Sequence, residues 1–540
     1  MEQRKNQYLV QGSILAVASI ITRIIGMLYK IPMTHMIGSE GMAYYNTAYE
    51  IYSIVLILSS LSIPLALSKL ISAREENKEY RTSGRIFRLT MMLACATGGI
   101  ASLIIWFGAG YFAELTGYPS AKYPLRILAP TIFIVAVLGV LRGFFQGRKT
   151  MLPTALSQII EQIVNAVISI LAAFLLMKAF TGDNSQASRG AAGGTLGTLC
   201  GAAAGALFLG FVFYLNKDYV KRKEAQDVNS KDESSFELIK AICLTLFPII
   251  LSQTVYQISG ILDISIFGNY MESIGVSESN SAVLQEAYTN KYRQLTNVPV
   301  AIASALSAAI VPSLSASFQV KNVLDIRKKI HSSIKMNMII AIPAAVGMGV
   351  LGPQLIQLLY KDTSILSGNL LRIGSVAIVF FAYSTMTNGI LQGLGRLRTP
   401  VVHAAVSLAI HIGMLYFMLH ILQLNVYSMV IGNVSFAFIV CILNWTSIQH
   451  IAGYKQEIRT SFVLPTIAAI AMGFVTYFGY KFLHYLTSSN FVATLFSMVF
   501  AVIVYFVLLF LLKTLTKEEL LDYPMGARIY RLCRKMKLMK

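Results

Sequence analysis

The sequence contains little charge. Asp, Glu, Lys and Arg together make up 13% of its 540 residues, whereas charged residues make up about a quarter of a typical soluble chain. Hydrophobic residues make up 55%, and the mean hydropathy is +0.63. A soluble protein of this length could not cover its surface with so few charges. The composition therefore predicts a polytopic membrane protein.

Cysteine and the common chemical motifs are also scarce. The five cysteines are scattered, and no pair has the spacing of a metal site, so we expect small core residues and neither a disulfide framework nor a bound metal. The sequence has no nucleotide-binding loop, no Ser/His/Asp set and no redox motif. These absences argue against an enzyme and predict a transporter without a resident cofactor. Such a transporter would use an ion gradient, the membrane potential or product removal.

The charge that is present is strongly unbalanced, with a net charge of +20. In a soluble protein this value would suggest nucleic-acid binding. Here most Lys and Arg residues fall in the tails and in the loops on one side of the predicted spans. The positive-inside rule then places both termini in the cytoplasm. The basic N-terminus is not followed by a small-residue cleavage site, so we expect it to be retained as the first span. We expect no nucleic-acid partner.

Apolar runs of about 20 residues predict fourteen membrane-spanning helices in an all-α polytopic fold. The predicted spans are residues 8–33, 43–73, 85–110, 123–145, 153–179, 190–216, 237–268, 290–315, 332–359, 369–393, 399–422, 426–449, 461–486 and 489–514.

Two internal sequence echoes have nearly the same separation along the chain. The segment 141–165, LRGFFQGRKTMLPTALSQIIEQIVN, resembles 388–411, and the residues around Pro64 resemble those around Pro312. The shared separation predicts a duplicated six-span half and a pseudo-two-fold axis along the membrane normal, with a site where the halves meet. The predicted division is an N-terminal half 1–216, a cytoplasmic linker 217–236, a C-terminal half 237–450, two additional helices 451–514 and a basic cytoplasmic tail 515–540.

Polar residues inside the predicted spans are functional candidates, because a charge at the bilayer centre costs about 2.5–3.5 kcal/mol on insertion scales. In the first span, Ser19, Arg23, Gly26 and Lys30 recur at helical spacing and share one face. Two cations on one face favour a water-filled cavity that receives an anion. The alternative is that each cation pairs with a carboxylate, for which Glu50 is the clearest candidate, so Glu50 has a structural and a functional interpretation.

Five further residues are candidates on other spans. Arg293, near the outer end of span 8, is either a cavity cation or an interfacial anchor. Asp263 and Gln257 share a face of span 7 and are candidates for Na⁺ or H⁺ coupling. Glu161 in span 5 is either a proton or cation group or a hydrogen-bonded strut between helices. His411 in span 11 is either a hydrogen-bonded core residue or part of the coupling machinery.

Several motifs together resemble one family of transporters. They are TRIIGMLYKIP in the first span, the LRGFFQG and PTALSQIIEQ strings around the basic turn, and AIVPSLS at the end of span 8. With fourteen spans and a six-plus-six repeat, the chain resembles the multidrug/oligosaccharidyl-lipid/polysaccharide (MOP) exporter superfamily. Within it, the chain is most similar to the MurJ-type lipid II flippases and to stage V sporulation protein B.

The resemblance implies a function and a location. Such proteins turn undecaprenyl-pyrophosphate-linked peptidoglycan precursor, lipid II, from the inner to the outer leaflet of the bacterial cytoplasmic membrane. It implies alternating access through a cationic central cavity and a groove for the lipid tail along the last two spans. The implied partners are lipid II or a related lipid, the phospholipid bilayer and cell-wall synthesis proteins.

The resemblance also implies residue roles. The first arginine of the family's span 1 matches Arg23, and the arginine before the apolar run of span 8 matches Arg293. The family's next span-1 arginine falls on Tyr29, a departure that leaves Lys30 beside it as the stand-in.

For ion coupling, the aspartate of the family's sodium site matches Asp263. Its span-11 partners, an Asn and an Asp, fall on His411 and Leu415, so the chain departs from that design.

Other functions fit the same residues. The main alternative is a flippase for another polyprenyl-linked oligosaccharide, such as a capsule, teichoic-type or exopolysaccharide unit. A cation-coupled multidrug exporter and a non-transporting scaffold are the others. The basic stripe on the first span suits a pyrophosphate better than a cationic drug.

Overall fold

The computed structural model describes residues 2–230, 233–514 and 531, and these residues form helices and loops without a β-strand. Two compact units divide the chain, Met1–Glu286 and Ala287–Lys540. The first unit contains α1 Glu2–Leu28, α2 Lys30–Leu56, α3 Ile63–Glu76, α4 Tyr80–Glu114, α5 Lys122–Gly147, α6 Leu152–Ala179, α7 Gln186–Ala225, α8 Ser235–Ser273 and α9 Glu278–Glu286. A π-helical segment, Ile57–Leu61, lies between α2 and α3.

The second unit begins with a π-helical segment, Ala287–Tyr292, that leads into α10. Its helices are α10 Arg293–Gln319, α11 Val323–Val350, α12 Gly352–Tyr360, α13 Ile365–Gly374, α14 Ala377–Gly393, α15 Arg398–His420, α16 Tyr427–Ala452, α17 Leu464–Thr487 and α18 Asn490–Leu511. The units divide at 286, whereas the predicted halves divide at the linker 217–236. The duplication boundary therefore stays a prediction.

The membrane character of the chain is confirmed. Among the described residues, eleven helical segments are long and apolar enough to cross a membrane. The bent pair α13–α14, inclined at 41°, adds a twelfth if it counts as one span. The chain is thus an all-α, multi-pass membrane protein. The predicted number of fourteen spans and the cytoplasmic placement of the termini stay predictions.

The start of the chain differs from the predicted pattern. The expected first loop, residues 34–42, is helical on both sides of Gly38, which interrupts α2 with φ 70° and ψ 177°. Only glycine adopts this backbone conformation without strain, so the chain turns there without a long loop. Lys30 is the first residue of α2, although the N–H of Tyr29 still donates to the Ile25 carbonyl at 3.1 Å. The helical spacing from Arg23 to Lys30 is therefore largely kept.

Close packing of α6 and α7 depends on small residues. A Cβ added at Gly197 would lie 2.5 Å from the Asn165 carbonyl oxygen, and one at Gly201 would lie 2.5 Å from the Glu161 carbonyl oxygen. Both distances are shorter than van der Waals contact, so only glycine allows this approach. The approach brings the polar residues of α6 within reach of α7.

The connection between α7 and α8 is docked against the turn between α3 and α4. It is shorter than the predicted linker, because α7 continues to Ala225 and α8 begins at Ser235. Asp227 accepts hydrogen bonds from the Arg81 N–H at 2.6 Å and from the Ser230 hydroxyl at 2.5 Å. Arg74 bonds to Glu233 at 2.8 Å. The described residues on either side of 231–232 are therefore held against the first unit.

Candidate functional site

Lys30 lies against aromatic side chains of its own helix. Its ammonium is 5.5 Å from the ring centroid of Tyr45 and 5.9 Å from that of Tyr49. The negative face of an aromatic ring attracts a cation at these distances. The two rings are one helical turn apart, with centroids separated by 4.6 Å, so they form one surface under the half-buried lysine. We call Lys30, Tyr45 and Tyr49 the lysine–tyrosine cluster.

Both rings of the lysine–tyrosine cluster are anchored by their hydroxyl groups. The Tyr45 hydroxyl shares a hydrogen bond of 2.9 Å with the Tyr29 hydroxyl, and the Tyr49 hydroxyl bonds to the Thr198 hydroxyl on α7. Thr198 donates to Asn165 Oδ1 on α6 at 3.4 Å. Tyr29, between α1 and α2, therefore anchors one ring, and α7, supported by α6, anchors the other.

Arg23 lies on an exposed face of α1. Its side chain is exposed, as are those of Ile20 and Ile24 on neighbouring positions. Gly26, one turn later on the same face, approaches α6, where an added Cβ would lie 3.1 Å from Gln162 Nε2. Arg23 is thus not covered by the described part of the first unit, and its role as a substrate contact stays a prediction.

Glu50 and Gln257, which the sequence assigned to separate roles, lie together. The Gln257 side-chain amide donates to Glu50 Oε2 at 3.2 Å. The bond links α2 to α8 inside the first unit. The coupling role of Gln257 and the substrate role of Glu50 stay predictions.

Asp263 follows Gln257 on α8 and is almost fully buried, with 1% of its surface exposed. Neighbouring Ile264 is part of the apolar cluster that includes Tyr29 and Tyr45. The coupling role of Asp263 stays a prediction.

Glu161 forms an ion pair with Arg142. Glu161 Oε2 is 2.6 Å from Arg142 Nη2, and Arg142 Nε donates to the Ser157 hydroxyl at 3.1 Å. The pair joins α5 to α6, as expected if Glu161 is a strut between helices. Arg142 was not among the candidates, although it lies at the end of the predicted span 123–145, beside the basic turn.

Arg293 begins α10 in the second unit, and the residues before it are firmly held. Lys291 pairs with Asp362 at 2.9 Å, and the Tyr292 hydroxyl donates to Asn433 Oδ1 at 3.1 Å. Burial raises the pKa of Asp362, but the Ser367 hydroxyl and the Lys291 ammonium outweigh this and hold the pKa at about 2. Arg293 is half-buried, and these contacts fix the backbone where it begins α10.

His411 is buried on α15 of the second unit, with 1% of its surface exposed. Its ring lies against α16, where a Cβ added at Gly432 would be 2.8 Å from His411 Cε1. The centroids of the His411 and Phe436 rings are 6.1 Å apart. Asp263 belongs to the first unit and His411 to the second. The tight packing fits a core residue, and coupling by His411 stays a prediction.

The sequence analysis overlooked the tyrosines. Tyr45, Tyr49 and Tyr52 recur at intervals of four and three residues, which places them on one helix face. Together with Lys30, which precedes the Gly38 break in the same helix, this spacing is the signal that could have indicated the lysine–tyrosine cluster.

Comparison with known proteins places the chain among membrane transporters. A family model described as polysaccharide biosynthesis protein matches residues 9–318, more than half of the chain, and a MatE model matches residues 248–417. A solved multidrug resistance MATE family transporter of the MOP superfamily has a TM-score of 0.64 at 17% identity and covers 81% of this chain and 99% of its own. The class is therefore that of the MOP superfamily.

More specific relatives come from Bacillus subtilis (strain 168). The lipid II flippase MurJ is 25% identical over 490 residues, which is 86% of this chain and 88% of that protein. Stage V sporulation protein B is 20% identical and covers 97% of this chain and 99% of its own. A solved lipid II flippase MurJ in an inward closed conformation has a TM-score of 0.62 at 16% identity and covers 92% of this chain and 97% of its own. The chain belongs to the polysaccharide biosynthesis protein family, as a MurJ- and stage V sporulation protein B-like member of the MOP superfamily.

Proposed function

We propose that the chain is a flippase for polyprenyl-pyrophosphate-linked oligosaccharides, and that its substrate is the peptidoglycan precursor lipid II. It works by alternating access in the bacterial cytoplasmic membrane and is not an enzyme. The similarity to MurJ over most of both chains supports this proposal. The observation that carries it is the lysine–tyrosine cluster, because it places a half-buried cation within the first unit.

The physical problem is the passage of a polar head group through apolar lipid. A pyrophosphate carries negative charge that is strongly hydrated, and ions are expensive to move into a medium of low dielectric constant. Cations along a wet path lower that barrier by replacing part of the hydration shell. In this proposal Lys30, Arg23 and Arg293 contact the pyrophosphate, and Glu50 orients the cationic groups.

A second candidate substrate is another polyprenyl-linked oligosaccharide of the capsule, teichoic or exopolysaccharide type. The family description, polysaccharide biosynthesis protein, favours this class as well as lipid II. Because the cations would contact the shared lipid pyrophosphate, the two substrates differ only in the sugar contacts.

For energy we propose coupling to Na⁺ or H⁺ without a resident cofactor. The buried Asp263 and the Glu50–Gln257 pair support this role, since they place two carboxylates on facing helices of the first unit. Glu161 is proposed as a structural group because its carboxylate is already paired with Arg142.

The test is a flipping assay with the protein reconstituted into liposomes. The arms contain lipid II, a polyprenyl-pyrophosphate carrying an unrelated oligosaccharide, and a zwitterionic phospholipid. We expect lipid II to cross fastest and the phospholipid to cross at the rate of protein-free liposomes. Equal transport of the two glycolipids would favour the second candidate, and no transport of either would contradict a flippase.

The same assay tests the cations with a matched control. Lys30→Met should reduce the initial rate about tenfold, as expected for loss of one charge-assisted contact, and Arg23→Ala should also reduce it. Lys69→Met removes an exposed lysine of α3 and should leave the rate unchanged. If Lys30→Met and Arg23→Ala behave like the control, the assignment of the cations is wrong.

A further inference from the structure

One arginine of the first unit is held between aromatic rings. The Arg189 guanidinium, on α7, lies 4.5 Å from the ring centroid of Tyr123 on α5 and 4.6 Å from that of Phe180 at the end of α6. All three side chains are half-buried. A planar guanidinium stacks on ring faces and keeps the N–H groups at its edge for hydrogen bonds. We call Tyr123, Phe180 and Arg189 the arginine–ring cluster.

Hydrogen bonds fix the elements that carry the arginine–ring cluster. The Gln186 side-chain amide donates to the Met177 carbonyl at 2.9 Å and ties the start of α7 to the last turns of α6. The Ser188 hydroxyl donates to the Ser120 carbonyl, which lies just before α5. The guanidinium is therefore positioned by three helices before any ligand binds.

Among the described residues, no carboxylate is paired with Arg189. Its guanidinium is held by the ring faces alone, and its Nε is buried without a hydrogen-bond partner. The exposed Asp183 nearby accepts a hydrogen bond from the Ser185 N–H at 2.9 Å. This N–H, and to a smaller extent the Ser185 hydroxyl and the Arg189 charge, lower the pKa of Asp183. Asp183 thus attracts the arginine without pairing with it.

A second cation shares one of the two rings. The Lys122 ammonium is 5.2 Å from the ring centroid of Tyr123, and within the part of the chain that the structure describes it forms no ion pair. The Glu278 carboxylate, which also acts on Lys122, accepts a hydrogen bond from the Ser120 N–H at 2.8 Å. Two cations beside one ring repel each other, and an anion close to both would relieve that repulsion.

The arginine–ring cluster lies at the end of a membrane-spanning helix. The 28 residues of α6 form about 42 Å of helix, which is longer than the hydrocarbon core of about 30 Å. Near its end, the side chains of Phe174 and Leu175 are 52% and 54% exposed and face lipid chains. Phe180 follows little more than one turn later. The guanidinium is thus at the level where the phosphates of lipid head groups lie.

We propose that the arginine–ring cluster binds the phosphate of an anionic membrane lipid, with Arg189 donating from the edge of its guanidinium and Lys122 adding charge. Two oxygens of a phosphate accept parallel N–H bonds from a guanidinium. The chains of the same lipid would lie along α6 at Phe174 and Leu175. The inference goes beyond the proposed function and does not depend on it, because the site and its test involve lipid binding and not transport.

Native mass spectrometry of the full chain in detergent micelles, titrated with phosphatidylglycerol, tests this inference. Arg189→Gln removes the charge and should weaken the tightest lipid binding about tenfold. Arg189→Lys keeps the charge but lacks the planar fork, so it should restore only part of the binding. Arg126→Gln is the matched control, because it removes an exposed arginine of α5. It should stay within about twofold of the unchanged protein, since exposed charges are screened.

The titration separates a specific site from diffuse attraction. If Arg189→Gln binds phosphatidylglycerol like the unchanged protein, Arg189 serves only to pack the rings and the inference is wrong. Full restoration by Arg189→Lys would mean that charge alone attracts the lipid, and this result would also overturn the site. With phosphatidylcholine, whose head group carries its own cation, the unchanged protein and Arg189→Gln should bind equally. Displacement of phosphatidylglycerol by an equal concentration of inorganic phosphate would contradict the assignment to a lipid.

A measurement on the unchanged protein keeps the test decisive if Arg189→Gln does not fold. Phenylglyoxal modifies arginine side chains, and peptide mapping gives the rate at each position. Modification of Arg189 should be several-fold slower in liposomes that contain phosphatidylglycerol than in liposomes of phosphatidylcholine alone, whereas Arg126 should be modified at similar rates in both. Equal slowing at the two positions, or none at Arg189, would overturn the inference.

Discussion

Two regions of the first unit surround their cations with different groups. At the turns between α3 and α4 and between α5 and α6, cations lie at short distances from carboxylates, as in Arg74 with Glu79 at 2.5 Å and Lys149 with Glu76 at 2.7 Å. In α1 and α2, Lys30 lies over tyrosine rings and Arg23 is exposed. The cations at the turns serve to join elements of the unit.

The difference separates structural from functional charge. A short ion pair fixes two elements of the fold, and loss of one partner lowers stability, whereas Lys30 is assigned to the substrate in the proposed function. Variants of the paired cations should therefore change stability more than transport. Variants of Lys30 should do the opposite. The predictions below test this contrast, from the largest expected change in stability to the smallest.

The largest effect is expected at the buried pair in the second unit. Lys291→Met removes the ammonium that pairs with the Asp362 carboxylate. The pair is largely buried, because the side chains of Lys291 and Asp362 are 6% and 19% exposed. Removing one partner of a buried pair lowers the free energy of unfolding by about 3 kcal/mol. Thermal unfolding in detergent micelles measures the loss.

Lys361→Met is the matched control for Lys291→Met, because Lys361 is an exposed lysine next to Asp362. It should unfold like the unchanged protein. If both variants unfold at the same temperature, the Lys291–Asp362 pair does not stabilise the fold.

The pair also shows what the sequence could reveal. Composition and apolar runs were enough to predict the fold class, because a membrane imposes length and hydropathy on every span. The pairing of Lys291 with Asp362 joins positions 71 residues apart, and no local pattern encodes which of many carboxylates a lysine meets. Such pairs follow from the packing of helices.

A smaller loss of stability is expected at Glu161. Glu161→Leu breaks its pair with Arg142, whose side chain is 15% exposed, and should lower the free energy of unfolding by about 2 kcal/mol. Glu161→Gln keeps one hydrogen bond to Arg142 and should lose less. Both variants should keep the pH dependence of flipping, measured in liposomes below the unfolding temperature.

Lys30→Met should have the opposite effects on stability and transport from Glu161→Leu. It should keep the unfolding temperature and lose transport. A shift in the pH profile of Glu161→Gln would contradict the structural role and restore the interpretation of Glu161 as a coupling group.

The candidate site was predictable in part, for a physical reason. Helical spacing indicated that Arg23 and Lys30 share a face, since this relation is local to the helix. The bond between Gln257 and Glu50 could not be derived, because it links α8 to α2 across 207 residues. The tyrosine rings under Lys30 were encoded by spacing within α2, but the break at Gly38 that turns α2 back is what brings them to the lysine.

The smallest effect is expected at the docked linker, and it depends on pH. Burial raises the pKa of Asp227, but the Arg81 N–H, the Ser230 hydroxyl and the N–H groups of Ser230 and Asn229 together hold it well below its usual range. Because docking lowers this pKa, the carboxylate stabilises the docked linker above the usual pKa of about 4. The stabilisation is lost as the pH falls from there towards the lowered pKa.

Hydrogen exchange of residues 226–230 should therefore be constant between about pH 8 and pH 5, after correction for the intrinsic rate, and should increase below about pH 4. Asp227→Asn should expose these amides at neutral pH and remove the acid-dependent increase, because the amide group does not titrate. Asp218→Asn, at an exposed position of α7, should behave like the unchanged protein. If Asp227→Asn keeps full protection, the linker is held by Arg74 and Glu233 instead, and charge pairing alone explains the docking.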